Sequence, residues 1–178
     1  MSQFDKYYEN SINSHLDVFL DLKKFNHVNK RIIKKIHTCL ALGKKILICG
    51  NGGSAADAQH LSAEFLVRLR PNVNRDPYPV ISLALDTSTI TACGNDYHFD
   101  QLFLRNFKAL YNKGDILFVL STSGNSKNII NVLKYAKSKK IFSIGLLGKN
   151  GGKAKQYCTE KIIVNSNSVA RIQEAHIF

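Results

Sequence analysis

The chain has 178 residues, 44% hydrophobic and 21% charged, which suits one globular domain and excludes intrinsic disorder. Its net charge of +12 comes from 25 basic against 13 acidic residues, scattered as doublets such as Lys23-Lys24, Lys44-Lys45 and Lys139-Lys140. With no basic run and no zinc-finger or RNA-binding signature, solvated helix faces explain that charge, and no nucleic-acid partner is expected.

Residues 1–43 predict two helices. Phe4, Tyr8, Ile12, Leu16, Phe19 and Leu20 recur at three- and four-residue steps, as do Ile32, Ile33, Ile36, Leu40 and Leu42, before Gly43. From residue 44 the pattern changes. Apolar, strand-length runs at Ile46–Cys49, Val80–Leu85, Ile116–Leu120, Ile141–Leu147 and Ile162–Val164 alternate with helical stretches near 54–69, 99–111, 125–138 and 151–157. Runs without polar alternation fit strands covered on both faces. The expectation is an α/β fold: a five-stranded parallel sheet between helices, preceded by the helical segment 1–43, all one domain over 1–178. A last helix is expected from about Ser168. The prolines fall together in the surface loop 70–79. No apolar run reaches the roughly 20 residues of a membrane span and no leader-like start is present, so a cytoplasmic location and no membrane partner are expected. The scattered cysteines 39, 49, 93 and 158 read as free thiols.

Two loops carry the chemistry. Cys49-Gly50-Asn51-Gly52-Gly53-Ser54 follows one strand and opens a helix. Gly52 and Gly53 allow close backbone approach, helix N-terminal amides favour an anion, and Ser54 could cap the helix or meet a ligand. Ser121-Thr122-Ser123-Gly124-Asn125-Ser126 repeats the arrangement after another strand, with four hydroxyls in six residues, more than one helix cap needs. In open parallel sheets such loops lie at the ligand-binding edge. His60 and Glu64 stand four apart in the helix after the first loop, on one face. An imidazole and a carboxylate so placed suit a divalent metal, although an intrahelical pair is the plainer reading. Asp96 reads as a turn aspartate.

GNGGSAADAQHLSAEF, TACGNDYHFD, STSGNS and ARIQEAH, in this order over nearly the whole chain, resemble the SIS-domain phosphoheptose isomerases. The resemblance implies a flavodoxin- or Rossmann-like three-layer sandwich, a homotetramer, and interconversion of sedoheptulose 7-phosphate and D-glycero-D-manno-heptose 7-phosphate through an enediol or enediolate. The product would supply lipopolysaccharide core or capsule. Glu64 would be the catalytic base. Substrate would be held by Asn51, Gly52, Gly53, Ser54, Glu64, Asn95, Asp96, Ser121, Thr122, Ser123, Ser126 and Gln173, with Arg68 near a neighbouring subunit's site. His60, Glu64 and Gln173 would ligate one zinc ion per subunit.

The chain departs from that pattern in places. The family's acid histidine lies eight residues after the glutamine matched by Gln173, beyond Phe178, so the last helix reads as truncated and the zinc site as incomplete. A chain truly ending there is expected to be a severely impaired isomerase. Ala170 stands where an aspartate is frequent, and His98 replaces a usual glycine. His98 either lines the pocket or faces solvent, and His176 is given no role. Isomerisation of another sugar phosphate is the second enzymatic reading. A non-catalytic SIS protein that binds a sugar phosphate or a protein partner is the reading from another class.

Overall fold

The computed structural model describes residues 2–84 and 86–178. Five parallel strands form one sheet in the order β2-β1-β3-β4-β5. They are β1 (Ile46–Cys49), β2 (Val80–Ser82), β3 (Ile116–Ser121), β4 (Ser143–Gly148) and β5 (Glu160–Val164). All five expected strands are present. Leu85, assigned to the second run, lies outside the described residues.

The absence of alternation in the strand sequences has a direct cause. Leu47, Cys49, Leu117 and Val119 belong to one core cluster, whereas Ile46, Ile48, Ile116 and Leu120 belong to another. Successive side chains of a strand point to opposite faces, so both must be apolar when both are covered. The helices α1 (Gln3–Asp21), α2 (Asn26–Ala41), α3 (Gly53–Leu66), α4 (Thr87–Asp96), α5 (Leu102–Leu110), α6 (Lys127–Ser138) and α7 (Val169–Ile177) surround the sheet. Ile32 and Cys39 of α2 and Ala58 of α3 pack on one face. Cys93 of α4, Phe103 and Phe107 of α5, and Ile129 and Leu133 of α6 pack on the other.

Helix ends differ from expectation for local reasons. The helix expected to run to residue 69 stops at Leu66, where Arg75 reaches back and donates to the carbonyls of Phe65 (2.8 Å) and Glu64 (2.6 Å). Helix α4 was not expected. Asp86 caps it, accepting from the Thr89 backbone N–H at 2.8 Å and from the Thr89 hydroxyl at 2.8 Å. The stretch 151–157 is not a helix beyond a 3-10 turn at Ala154–Gln156. Glycine-rich sequence there disfavours a longer one.

Helix α7 is tied to α1. Arg171 donates to the Ser11 carbonyl at 2.7 Å, and His15 Nδ1 lies 2.8 Å from Glu174 Oε2. All four cysteines are free and buried. Among the described residues, no helix is long and apolar enough to cross a membrane.

Candidate active site

Strands β1 and β3 are neighbours, and the chain leaves β1 for β2 on one side and β3 for β4 on the other. Helix α3, following β1, packs on one face, and α6, following β3, packs on the opposite face. This makes β1/β3 the topological switch point, where a crevice opens beyond the strand ends. Both sequence-singled loops lead out of it.

In the first loop the backbone turns tightly into α3. The Ser54 N–H donates to the Asn51 carbonyl at 3.1 Å, and Ala55 and Ala56 donate to the Gly52 carbonyl at 2.9 and 3.1 Å. Gly52 is the N-cap and has no side chain to contribute. Ser54 is therefore not the cap; it sits inside the first turn, 3% exposed. Gly53 touches another element. A Cβ there would overlap the side-chain amide of Gln173, which brings α7 onto the first turn of α3.

In the second loop the hydroxyls divide their work. Ser121 Oγ accepts from the Gly124 N–H at 3.1 Å, and Ser123 Oγ accepts from the Asn125 N–H at 3.1 Å. Each keeps its own O–H for donation. Ser126 is the N-cap of α6, yet its side chain makes no capping bond. The loop is thus partly self-bracing, and its remaining hydroxyl donors lie beside the α6 N-terminus, an arrangement that suits an anion.

The two loops are joined. Asn51 Nδ2 donates to Asn128 Oδ1 at 2.9 Å, and Asn128 Nδ2 donates to Asn51 Oδ1 at 2.8 Å. Asn128 was not singled out from sequence, because burial of a polar side chain two residues past Ser126 leaves no sequence signal. The pair borders a cavity of about 590 Å³ lined also by His98, Phe99, Asp100, Ser126 and Lys127. His98 is exposed and lines this cavity.

His60 and Glu64 project from α3 as expected, Nε2 to Oε1 3.1 Å apart, with side chains 56% and 26% exposed. Along a helix, positions 53, 57, 60 and 64 share one face. Asp57, not singled out from sequence, therefore belongs to this stripe. Burial pushes its carboxyl pKa up, opposed by the nearby His60. Gln173 meets the stripe at Gly53, about 10 Å of helix rise before His60. Imidazole nitrogen and carboxylate oxygen are ordinary zinc donors, so the His60–Glu64 pair fits a metal edge. Among the described residues of one chain, no three His, Cys, Asp or Glu side chains gather as a complete cluster.

Asn95 and Asp96 close α4, with Asn95 Nδ2 donating to Asp96 Oδ1 at 2.8 Å. Both are exposed. Arg68 donates to the Pro71 carbonyl at 3.0 Å at the surface. His176 lies elsewhere, 4% exposed, and burial lowers its pKa to about 4, opposed by the Leu147 backbone. It lines a separate apolar cavity of about 710 Å³ between the N-terminal helices and the sheet.

The SIS domain model matches residues 7–148. Phosphoheptose isomerase of Campylobacter concisus (strain 13826) is 53% identical over 136 residues, 76% of this chain and 71% of its own length. Among solved structures, phosphoheptose isomerase GmhA from Neisseria gonorrhoeae aligns with a TM-score of 0.90 at 35% identity, covering 98% of this chain and 93% of that one. A phosphoheptose isomerase from Francisella tularensis gives a TM-score of 0.84 at 35% identity, covering 99% and 93%. These relatives are enzymes by name, which disfavours the non-catalytic alternative. The order of the strands, the paired loops at their switch point and this similarity along the chain agree: the protein belongs to the SIS-domain phosphoheptose isomerase family.

Proposed function

We propose that the chain is an aldose–ketose isomerase that interconverts sedoheptulose 7-phosphate and D-glycero-D-manno-heptose 7-phosphate. The observation that carries this reading is the joining of two Gly/Ser loops at the β1/β3 switch point, beside the carboxylate-bearing face of α3. The amides at the start of α6, with Ser121, Thr122, Ser123 and Ser126, bind the phosphate. Asn51, the Gly52-Gly53-Ser54 turn and Gln173 hold the sugar, with Asn95 and Asp96 as further contacts.

Isomerisation moves one proton between adjacent carbons and another between their oxygens. Glu64 accepts the carbon-bound proton, leaving an enediolate, and returns it to the neighbouring carbon. His60, 3.1 Å from Glu64 Oε1, orients that carboxylate. Donors from the loops stabilise the oxyanion. His60 and Glu64 are the residues proposed to hold zinc, which when bound would polarise the carbonyl; Gln173, expected beside them, meets α3 at Gly53 instead and is kept as a sugar contact.

The protein works as a homotetramer in this reading, with Arg68 close to a neighbouring subunit's site. Support comes from α1, where Phe4, Tyr8, Ile12, Leu16 and Leu20 form an apolar stripe exposed by 43–76%. Such a face on a helix with no buried residue favours association. Sedimentation of the parent and of Leu16→Glu tests it.

The deciding experiment incubates the protein with sedoheptulose 7-phosphate, with and without zinc, and follows the aldose product by NMR. Appearance of the aldose is expected. A protein that leaves the ketose unchanged in both conditions overturns the assignment.

A further inference from the structure

The amide pair between the loops has a fixed polarity. Asn128 Oδ1 accepts from Asn51 Nδ2 and also from the backbone N–H of Ile129, at 2.9 Å. A backbone N–H can only donate, so Asn128 must turn its oxygen toward Ile129. Its nitrogen then faces Asn51 and donates to Asn51 Oδ1 at 2.8 Å. Asn51 in turn has one orientation compatible with both bonds. Asn128 is 3% exposed, so water competes poorly for these bonds and a mismatched amide would be costly. Asn51 is left with one free N–H and one free lone pair beside the cavity.

We infer that Asn128 is a positioning residue for the isomerase. Through the reciprocal amide pair it holds Asn51 in one orientation, presenting a donor and an acceptor to the sugar. A sugar hydroxyl, which both donates and accepts, matches that presentation. The chain of control runs from the Ile129 backbone through Asn128 to Asn51, and so from the phosphate loop's helix to the sugar. This inference rests on the reading of Asn51 as a substrate contact. If Asn128 served only to satisfy the start of α6, its removal would disturb the phosphate loop and leave Asn51 unaffected.

A double-variant cycle separates these roles. Parent, Asn51→Ala, Asn128→Ala and the double variant are compared for kcat and KM with sedoheptulose 7-phosphate, for its Kd by calorimetry, and for competitive inhibition by inorganic phosphate. Each single variant is expected to lose about tenfold in kcat/KM. The double variant should lose no more than the worse single one, and phosphate inhibition should stay unchanged throughout. Losses that multiply in the double variant overturn the inference, as does weakened phosphate inhibition in Asn128→Ala alone. An impaired Asn51→Ala beside a fully active Asn128→Ala also overturns it. A fully active Asn51→Ala removes Asn51 from the substrate contacts and the inference with it. A parent that binds the ketose without turning it over overturns the isomerase reading, and the same cycle read in Kd still decides the role of Asn128. Should Asn128→Ala fail to fold, Asn128→Thr, neutral and closer in volume, carries the same cycle.

Discussion

The side-chain amide of Gln173 occupies the space above Gly53, where any Cβ would overlap it. The Gln173 amide therefore lies against the first turn of α3 only because that turn begins with a residue lacking a side chain. Gly53→Ala is expected to displace Gln173 while leaving the fold in place, since the overlap is with the far end of a flexible side chain. Overpacking of this kind costs about 1–3 kcal/mol. Placed at a substrate contact, it should lower kcat/KM at least about tenfold. Steady-state kinetics beside a thermal melt checks this, and unchanged kinetics would show that Gln173 makes no productive contact.

Glu64 is the one carboxylate assigned to proton transfer. Glu64→Gln keeps the shape and removes the base, so kcat should fall by roughly 10²–10⁴. Exchange of the substrate's carbon-bound hydrogen with deuterated solvent should fall in parallel. Retained exchange would assign the base elsewhere.

Stability at the opposite edge of the sheet depends on Asp115, whose side chain is 1% exposed and pairs with Lys45 Nζ at 2.6 Å. It also accepts from the backbone N–H of Lys45 at 3.0 Å and of Asn112 at 2.7 Å. Asp115→Ala strands these donors and a largely buried ammonium. A loss of about 3–5 kcal/mol is expected in urea unfolding. Because the strand starts lie away from the site, activity of the folded fraction should be preserved.

His176 sets an acid limit on the fold. Its folded pKa is lowered to about 4 from an ordinary value of 6.5, because burial disfavours the charged ring. The unfolded chain binds the proton first as pH falls. Stability is therefore fully present above about pH 6.5 and declines as pH drops toward 4, by up to about 3 kcal/mol. His176→Leu should flatten this part of the urea-midpoint profile. A profile matching the parent's between pH 4 and 6.5 would mean the ring is not buried in solution.

The five strands, the two loops and the His60–Glu64 pair were legible because each leaves a local mark. An unbroken apolar run such as Ile46–Cys49 can be satisfied only between two covered faces. Glycines and hydroxyls crowd where a strand hands over to a helix. Helix α4 leaves only a short local mark, Asp86 capping Thr89, in a stretch of weak helix formers. The spacing of His60 and Glu64 follows from the 3.6-residue turn alone.

The sequence by itself determined the strand count, the two Gly- and Ser-rich loops and the face of α3 that carries His60 and Glu64. Only the tertiary structure decided which of these meet. Asn51 and Asn128 are 77 residues apart, and Gln173 reaches Gly53 from the last helix. Such contacts depend on the strand order β2-β1-β3-β4-β5, which places β1 beside β3. Local propensities act over a few residues and hold no record of that neighbour. Burial of both sheet faces selects it, and with it the site.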